Sequence, residues 1–291
     1  MIFCTLTTAS HLHKCTVLAK SLEQFGYKLF VCQIDKTTTD TKDFQFNFEN
    51  IELSALGEEV GVLKRRYNQD CWRWALKPIL MRYLLTTTTE KVVYVDNDFY
   101  FFSSPNEVNE QLDKFDILLT PHDYCHVPND APNWFEANYR VGLFNAGFVA
   151  VNAAGLPFLD WWIKCCAYNM KKSFWRGLYD DQKYLDLVPI KFKKVKILDT
   201  RKFNIAAWND WQFDKNVAEK KEIVCIHFAD LSMRTFADPA HFLHAFYLSY
   251  VENLSLSAPV ALHPQKNKFD LRRIPELIYF MRWKIVRIFE K

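Results

Sequence analysis

The segment Lys91 to Pro105, KVVYVDNDFYFFSSP, sets two carboxylates, Asp96 and Asp98, one residue apart behind an apolar run of Val92, Val93, Tyr94 and Val95. Two close acids at the end of a buried strand are unfavourable, because desolvated like charges repel and neither ionises readily. A hard divalent cation removes the conflict, since carboxylates on alternate residues can face one ion and carboxylate oxygens suit magnesium and manganese. The same spacing also fits a polar turn after a strand. A second acidic cluster, Asp180-Asp181-Gln182, suits the start of a helix, where the dipole stabilises negative charge. Arg73 and Lys77 are one helical turn apart. They could face a diphosphate together or form a surface stripe with Arg82. Pro78 follows at once and predicts a kink or a new helix start there. His227, just after the apolar Ile223–Ile226, fits a hydrogen-bonded structural residue when taken alone.

These residues need elements to position them. Ile2–Leu6 reads as a first strand, and Thr7 and Thr8 follow it as a polar turn. Ser10 is the expected cap of a helix whose inward face is Leu12, Cys15, Leu18 and Leu22, with Gly26 as its end. Lys28–Ile34 is the next strand, closed by Asp35, which could contact a ligand or be a solvated loop acid. Residues 68–85 form an amphipathic helix carrying Trp72, Leu76, Ile79, Leu80 and Tyr83. Val92–Val95 has no solvent face and is expected at the sheet centre. The alternation predicts an open, mainly parallel α/β sheet with helices on both faces. Ligands in such sheets bind beyond the carboxyl ends of the strands, where Asp96 and Asp98 stand. Later strands are expected at 115–120 and 143–151, and helices at 157–171 and 179–187. Asn145-Ala146-Gly147 opens the 143–151 strand with small residues that permit close backbone approach to a ligand, or that mark a bulge. Between the two later strands, residues 121–140 (PHDYCHVPNDAPNWFEANYR) form a long polar, aromatic connection, the kind that often carries function.

Composition narrows the classes. The chain has 291 residues, 49% of them hydrophobic and 24% charged, as in an ordinary globular protein. With only 7 glycines and no glycine-rich phosphate loop, a P-loop NTPase and a dinucleotide-binding Rossmann enzyme are disfavoured. A net charge of +3 gives no case for nucleic acid. Eight scattered cysteines without a C-x-x-C pair fit a reducing compartment. No apolar run reaches the ~18 residues of a spanning helix, and the start resembles no signal peptide.

Seven blocks in order, TLTT, RWALKP, VYVDND, LFNAGFVAVN, GLYDDQKYLDLVP, FNIAAWN and IHF, resemble bacterial nucleotide-sugar-dependent glycosyltransferases of the GT-A fold. The DND, FNAGF and DDQ blocks are similar to those of the family-eight retaining enzymes and of related lipopolysaccharide and capsule glycosyltransferases. The resemblance spans about Thr5 to Phe228 and implies a GT-A domain over residues 1–255. In that domain a nucleotide-binding half, about 1–105, precedes a sugar and acceptor half, 106–255. It implies a Mn2+ or Mg2+ cofactor held by Asp96, Asp98 and His227. It also implies contacts to a nucleotide-diphosphate sugar, a UDP sugar for preference, from Thr7, Thr8, Asp35, Arg73, Lys77, Asn97, Asn145, Ala146 and Gly147. Asp181 and Gln182 would sit by the donor sugar in a catalytic or binding role. The segment after His227, FADLSMR, departs from the family's Gly and Lys-Pro-Trp, which leaves Arg234 as the stand-in cation.

The acceptor is expected to be a glycan or a lipid-linked sugar. Its site falls to the long connection, with His122, Asp123, Asn133, Trp134 and Glu136, an acid there being a general base if the enzyme inverts. Trp208, Asn209 and Trp211 could stack on sugars or fill the core. Residues 256–291 form a basic amphipathic extension. Its part 271–291 suits either contact with an anionic membrane surface or packing on the domain. The expected location is the cytoplasm or the inner face of its membrane. Two rivals stand beside this reading: a non-catalytic GT-A-like protein that binds glycan or a subunit, and a sugar nucleotidyltransferase. The latter usually has a glycine-rich basic loop after the first strand, which TLTTASHLHK lacks.

Overall fold

Strand β1 (Ile2–Thr7) is buried along its whole length, which follows from its place between two parallel neighbours. This is a computed structural model, and it describes residues 1–35, 47–173, 176–213 and 222–257. The first elements alternate as expected: β1, α1 (Leu12–Glu23), β2 (Leu29–Gln33), β3 (Glu49–Ile51), α2 (Glu59–Arg66), α3 (Gln69–Ala75), α4 (Lys77–Thr88), β4 (Val92–Val95) and β5 (Phe99–Phe101). There follow α5 (Asn106–Gln111), β6 (Ile117–Pro121), α6 (Pro132–Arg140), β7 (Phe144–Val151), α7 (Leu156–Tyr168), α8 (Val188–Lys191) and β8 (Val195–Ile197). The described chain closes with β9 (Cys225–His227), α9 (Asp230–Phe236) and α10 (His244–Ser257).

Among the described residues these strands make a seven-stranded sheet in the order β3-β2-β1-β4-β7-β6-β8 and a two-stranded sheet of β5 and β9. Every pairing of the large sheet is parallel except those of β7, which runs against both β4 and β6. The reversal matters for the site. It brings the amino end of β7 to the edge where β1, β2 and β4 have their carboxyl ends. The Asp96 amide donates to the Gly147 carbonyl at 2.9 Å and fixes that meeting.

Side chains of the central strands alternate between two cores. Val92 and Tyr94 pack with α4 and α7, whereas Val93 and Val95 pack with α1 and α5. All four are at most 1% exposed, so a charge at the end of β4 meets a poorly polarisable interior. A third core joins β5 and β9 to α9 and α10 through Ile226, Phe228, Phe236 and Tyr250. Phe228 and Tyr250 stack at 4.1 Å.

Four expectations need adjustment. The helix over 68–85 is two helices. Asn68 caps α3, accepting from the Cys71 amide at 2.9 Å, and a break at Leu76 lets Pro78 sit in the first turn of α4, where its missing N–H breaks no ladder. Ser10 does not cap α1, because a 3-10 turn over Ala9–His11 precedes that helix and Asp35 satisfies the Ala9 amide at 2.8 Å. Residues 121–140 are not all loop: Pro132 opens α6. Asp180 and Asp181 do not open an α-helix. Asp180 is left-handed, with φ of 42°, and a 3-10 turn, Lys183–Leu187, comes next. The segment 271–291 lies outside the described residues. No described helix is long and apolar enough to cross a membrane.

Candidate active site

The strand ends bring most of the expected residues together. Asp98 Oδ1 lies 3.1 Å from His227 Nε2. The approach follows from the pairing of β5 with β9, in which Phe99 faces His227 and the two rings stack at 4.3 Å. Asn204 accepts from His227 Nδ1 at 3.1 Å, with its own amide nitrogen committed to Thr120 Oγ1 at 2.9 Å. With Nδ1 held by Asn204, Nε2 is the ring nitrogen that faces Asp98. Burial would raise the Asp98 carboxyl. The charge and hydrogen bond of His227, helped by Lys14, hold it well below the usual carboxylate range.

Asp96 lies across a small gap. A Cβ at Gly147 would come within 2.7 Å of Asp96 Oδ2, 2.5 Å of Asn145 Oδ1 and 3.1 Å of His227 Cε1. Glycine therefore keeps open a cradle among three polar side chains. The donor set, two carboxylates and one imidazole, suits a divalent ion such as manganese. Ligands on adjacent corners of an octahedron with bonds near 2.1 Å lie about 3 Å apart. The Asp98–His227 separation of 3.1 Å meets that figure. Among the described residues no group of three or more His, Cys, Asp or Glu side chains is arranged so that it could hold a metal ion by itself. Oxygens of a ligand would have to complete the shell.

Lys77 departs from its expected place. Only 3% exposed, it reaches Asp96 Oδ1 at 3.4 Å, Asp181 Oδ2 at 3.3 Å and the Ala146 carbonyl at 3.1 Å. Burial opposes its charge, but Asp181, Asp96 and Asp180 more than offset that, and its ammonium is stabilised. Lys77 thus ties the two acidic clusters together and does not face an open diphosphate site with Arg73. Arg73 contacts Asp70 at 3.9 Å, and its charge tempers the rise that burial imposes on Asp35 and Tyr94. Asp181 is raised by burial against the pull of Lys77, with Asp180 and Asp96 adding to the rise. Its Oδ2 is buried and makes no well-aligned hydrogen bond, though Lys77 is near. Gln182 donates its backbone amide to Asp180 at 3.3 Å.

The residues expected to contact a nucleotide sugar line the same edge. Asn97 donates to Thr7 Oγ1 at 3.1 Å, and Thr8 Oγ1 meets His11 Nδ1 at 2.8 Å. Asn145 accepts from the Gly147 amide at 2.6 Å and donates to His122 Nε2 at 3.1 Å. His122 donates its Nδ1–H to the Gly142 carbonyl at 3.0 Å, and burial pushes its pKa down to about 3. His122 is therefore a neutral brace of Asn145. Glu136 pairs with Arg140 at 2.6 Å on α6. Asn209 braces the turn after Asn204, accepting from the Ala206 amide at 2.8 Å. Arg234 donates to the Asp230 carbonyl on its own helix at 3.2 Å.

No family model matches the chain. It is 29% identical over 219 residues to the uncharacterised protein YfnF of Bacillus subtilis (strain 168), covering 71% of each. To YfnD of the same strain, also uncharacterised, it is 24% identical over 221 residues, covering 71% of this chain and 68% of the relative. Among solved structures, galactosyltransferase LgtC in complex with donor and acceptor sugar analogs superposes with a TM-score of 0.55 at 13% identity, over 90% of this chain and 98% of that one. Glycosyltransferase GlyE of Streptococcus pneumoniae TIGR4 does so at 0.52 and 15%, over 96% and 71%. The chain has the GT-A glycosyltransferase fold. Within this GT-A fold the acidic pair, Thr7, Thr8 and Asp35 share the carboxyl edge of the parallel strands, as the sequence pattern anticipates.

Sequence reasoning missed four participants in this GT-A site. Tyr94, taken as an apolar strand residue, donates from its hydroxyl to Asp96 Oδ1 at 3.0 Å. Asn204 sits in the FNIAAWN block, but nothing local marks it as the partner of His227. Lys14 and His11 occupy the first turns after β1. Their clustering in TASHLHK beside a strand end was the available signal. His11 is lowered to about 4 by burial and by Lys14, Arg73 and His13, against an opposing pull from Asp98.

Proposed function

We propose that the protein is a metal-dependent glycosyltransferase that moves a hexose from a nucleotide-diphosphate sugar, a UDP sugar, to a glycan or glycolipid hydroxyl. One observation carries this reading: Asp98 and His227 stand 3.1 Å apart beside Asp96 and the open Gly147 cradle, at the ligand edge of a GT-A sheet. Asp98 and His227 would hold Mn2+ or Mg2+, with Asp96 beside them. When bound, such an ion supplies Lewis acidity and neutralises charge on the departing diphosphate.

The protein's own groups do the positioning. Asn204 sets the tautomer of His227. Tyr94 and Lys77 fix Asp96, and Lys77 keeps negative charge tolerable at Asp181. Asp181, Gln182 and the remaining amide hydrogen of Asn145 orient the donor sugar's hydroxyls. A carboxylate held by a buried ammonium is a poor free nucleophile, which favours an orienting and charge-stabilising role for Asp181. Thr7, Thr8, Asp35 and Asn97 form the shelf for the nucleoside.

The test is donor hydrolysis across UDP-glucose, UDP-galactose, UDP-N-acetylglucosamine and GDP-mannose, with manganese or with chelator. Release of UDP that requires manganese is expected. Asp98→Asn should lower it by roughly 100-fold, the size of effect seen when one electrostatic stabiliser is removed. A rate unaffected by chelator and by this substitution rejects the reading.

A further inference from the structure

The stretch between Asp186 and Asp199, LVPIKFKKVKIL, carries four lysines and no acid. Among the described residues Lys191, Lys193, Lys194 and Lys196 make no ion pair. The acids that flank them are already matched, Asp186 with Lys183 at 2.8 Å and Asp199 with Arg201 at 3.0 Å. Large aliphatic side chains stand among the lysines. Ile190 is 84% exposed, Leu187 52% and Ile197 47%. Helix α8 buries Val188 and leaves Ile190 almost wholly in water.

Helix α7 continues this face. Its Trp161 meets Phe192 edge-on at 5.8 Å, and the charge of Lys191 tempers the rise that burial imposes on the Cys165 thiol. Trp161, Lys164, Cys165 and Tyr168 share one side of α7 by their spacing. Lys164 is exposed and makes no ion pair among the described residues, and Tyr168 is exposed at the end of the helix. Lysines on an edge strand also discourage pairing with another chain. That accounts for Lys196, which lies within β8 and points away from the side shared by Val195 and Ile197. It does not account for Lys164, Lys191, Lys193 or Lys194, which lie outside the strand, nor for Ile190.

We infer that the α7–α8–β8 face seats on an anionic phospholipid surface, with Leu187 and Ile190 entering the headgroup layer and Lys164, Lys191, Lys193 and Lys194 set against lipid phosphates. Unpaired cations beside protruding aliphatic side chains match a surface that is negative outside and apolar beneath. A second copy of this chain would bring lysines against lysines. A soluble acidic polymer would neutralise the lysines but leave Ile190 in water. The face is separate from the basic segment 271–291, and the inference stands on the described residues alone.

The experiment is vesicle co-sedimentation of the full chain with phosphatidylcholine alone and with equimolar phosphatidylcholine and phosphatidylglycerol. Binding is expected only to the anionic vesicles and should weaken as salt is added. The combined variant Lys191→Gln, Lys193→Gln, Lys194→Gln should bind roughly 100-fold more weakly, at about fivefold per charge. Ile190→Ser should lose roughly tenfold, which a purely ionic contact would not. Lys20→Gln, at an exposed lysine of α1, should keep full binding. These side chains are exposed, so the melting temperatures should match that of the unaltered protein. Failure to bind the anionic vesicles, or equal binding by both patch variants, overturns the inference. Retention on dextran sulfate without vesicle binding overturns it in favour of an acidic polymer. No sugar donor or turnover enters the assay, so its outcome is independent of the glycosyltransferase reading.

Discussion

Gly147 is where a single atom decides the chemistry. Its missing Cβ leaves room that Asp96, Asn145 and His227 border on three sides. In Gly147→Ala the side chains must shift by a few tenths of an ångström or more, and Asn145 loses its bond to the Gly147 amide. Overpacking of this kind costs about 1–3 kcal/mol. The expected outcome is a folded protein with a lowered melting temperature and at least a tenfold weaker affinity for UDP with manganese, read by calorimetry. Lys77 sets a larger effect. Its removal in Lys77→Met leaves Asp96 and Asp181 without their shared cation in a buried setting. Breaking a buried pair typically costs about 3–5 kcal/mol. Denaturant unfolding should show a loss of that order at neutral pH, shrinking as the pH is lowered and Asp181, already raised, becomes neutral.

At the scale of elements, two local rules hold up the site. The break between α3 and α4 lets Lys77 enter the core beside Tyr94 while Arg73 stays at the surface edge. Asn68 anchors that geometry as the cap of α3. Asn68→Ala should cost about 1 kcal/mol by denaturant unfolding, the usual worth of such a cap. The second rule is the reversal of β7. Run parallel, it would send Asn145 and Gly147 to the opposite edge of the sheet. The register shift between Leu119 and Thr120 serves the same end, since it turns Thr120 toward Asn204, which in turn fixes His227. Such irregularities commonly sit beside binding sites.

For the whole molecule, the buried histidine His122 shapes the response to acid. Its pKa is about 6.5 in the unfolded chain and is pushed down to about 3 in the fold by burial. A base depressed in this way contributes stability that is complete above the unfolded value and is lost as the pH falls towards the folded one. The slope is about 1.4 kcal/mol per pH unit. Asp181, raised by burial, runs the other way over part of that range. Comparing the unaltered protein with His122→Gln isolates the histidine: their stability difference should shrink steadily from pH 6.5 to pH 4. A constant difference would show that His122 carries a proton in the folded state.

Much of the fold was legible because the signals are local. Val92–Val95 is apolar on both sides, which points to a central strand, and the carboxylates closing it fit either a ligand edge or a polar turn. Pro78 marks a kink or a helix start, and the spacing of Leu12, Cys15, Leu18 and Leu22 describes a buried helical face. The partners of those residues were not legible. Whether Lys77 faced a diphosphate or bridged Asp96 and Asp181 depends on how closely α4 approaches β4 and the turn that carries Asp181, far along the chain from Lys77. The roles of Tyr94, Asn204 and His122 were hidden for the same reason. Side-chain type and spacing determine which groups can ionise, cap or coordinate. Which of them meet is decided by packing, because burial and distance set the energy of a charge and neither is written along the chain.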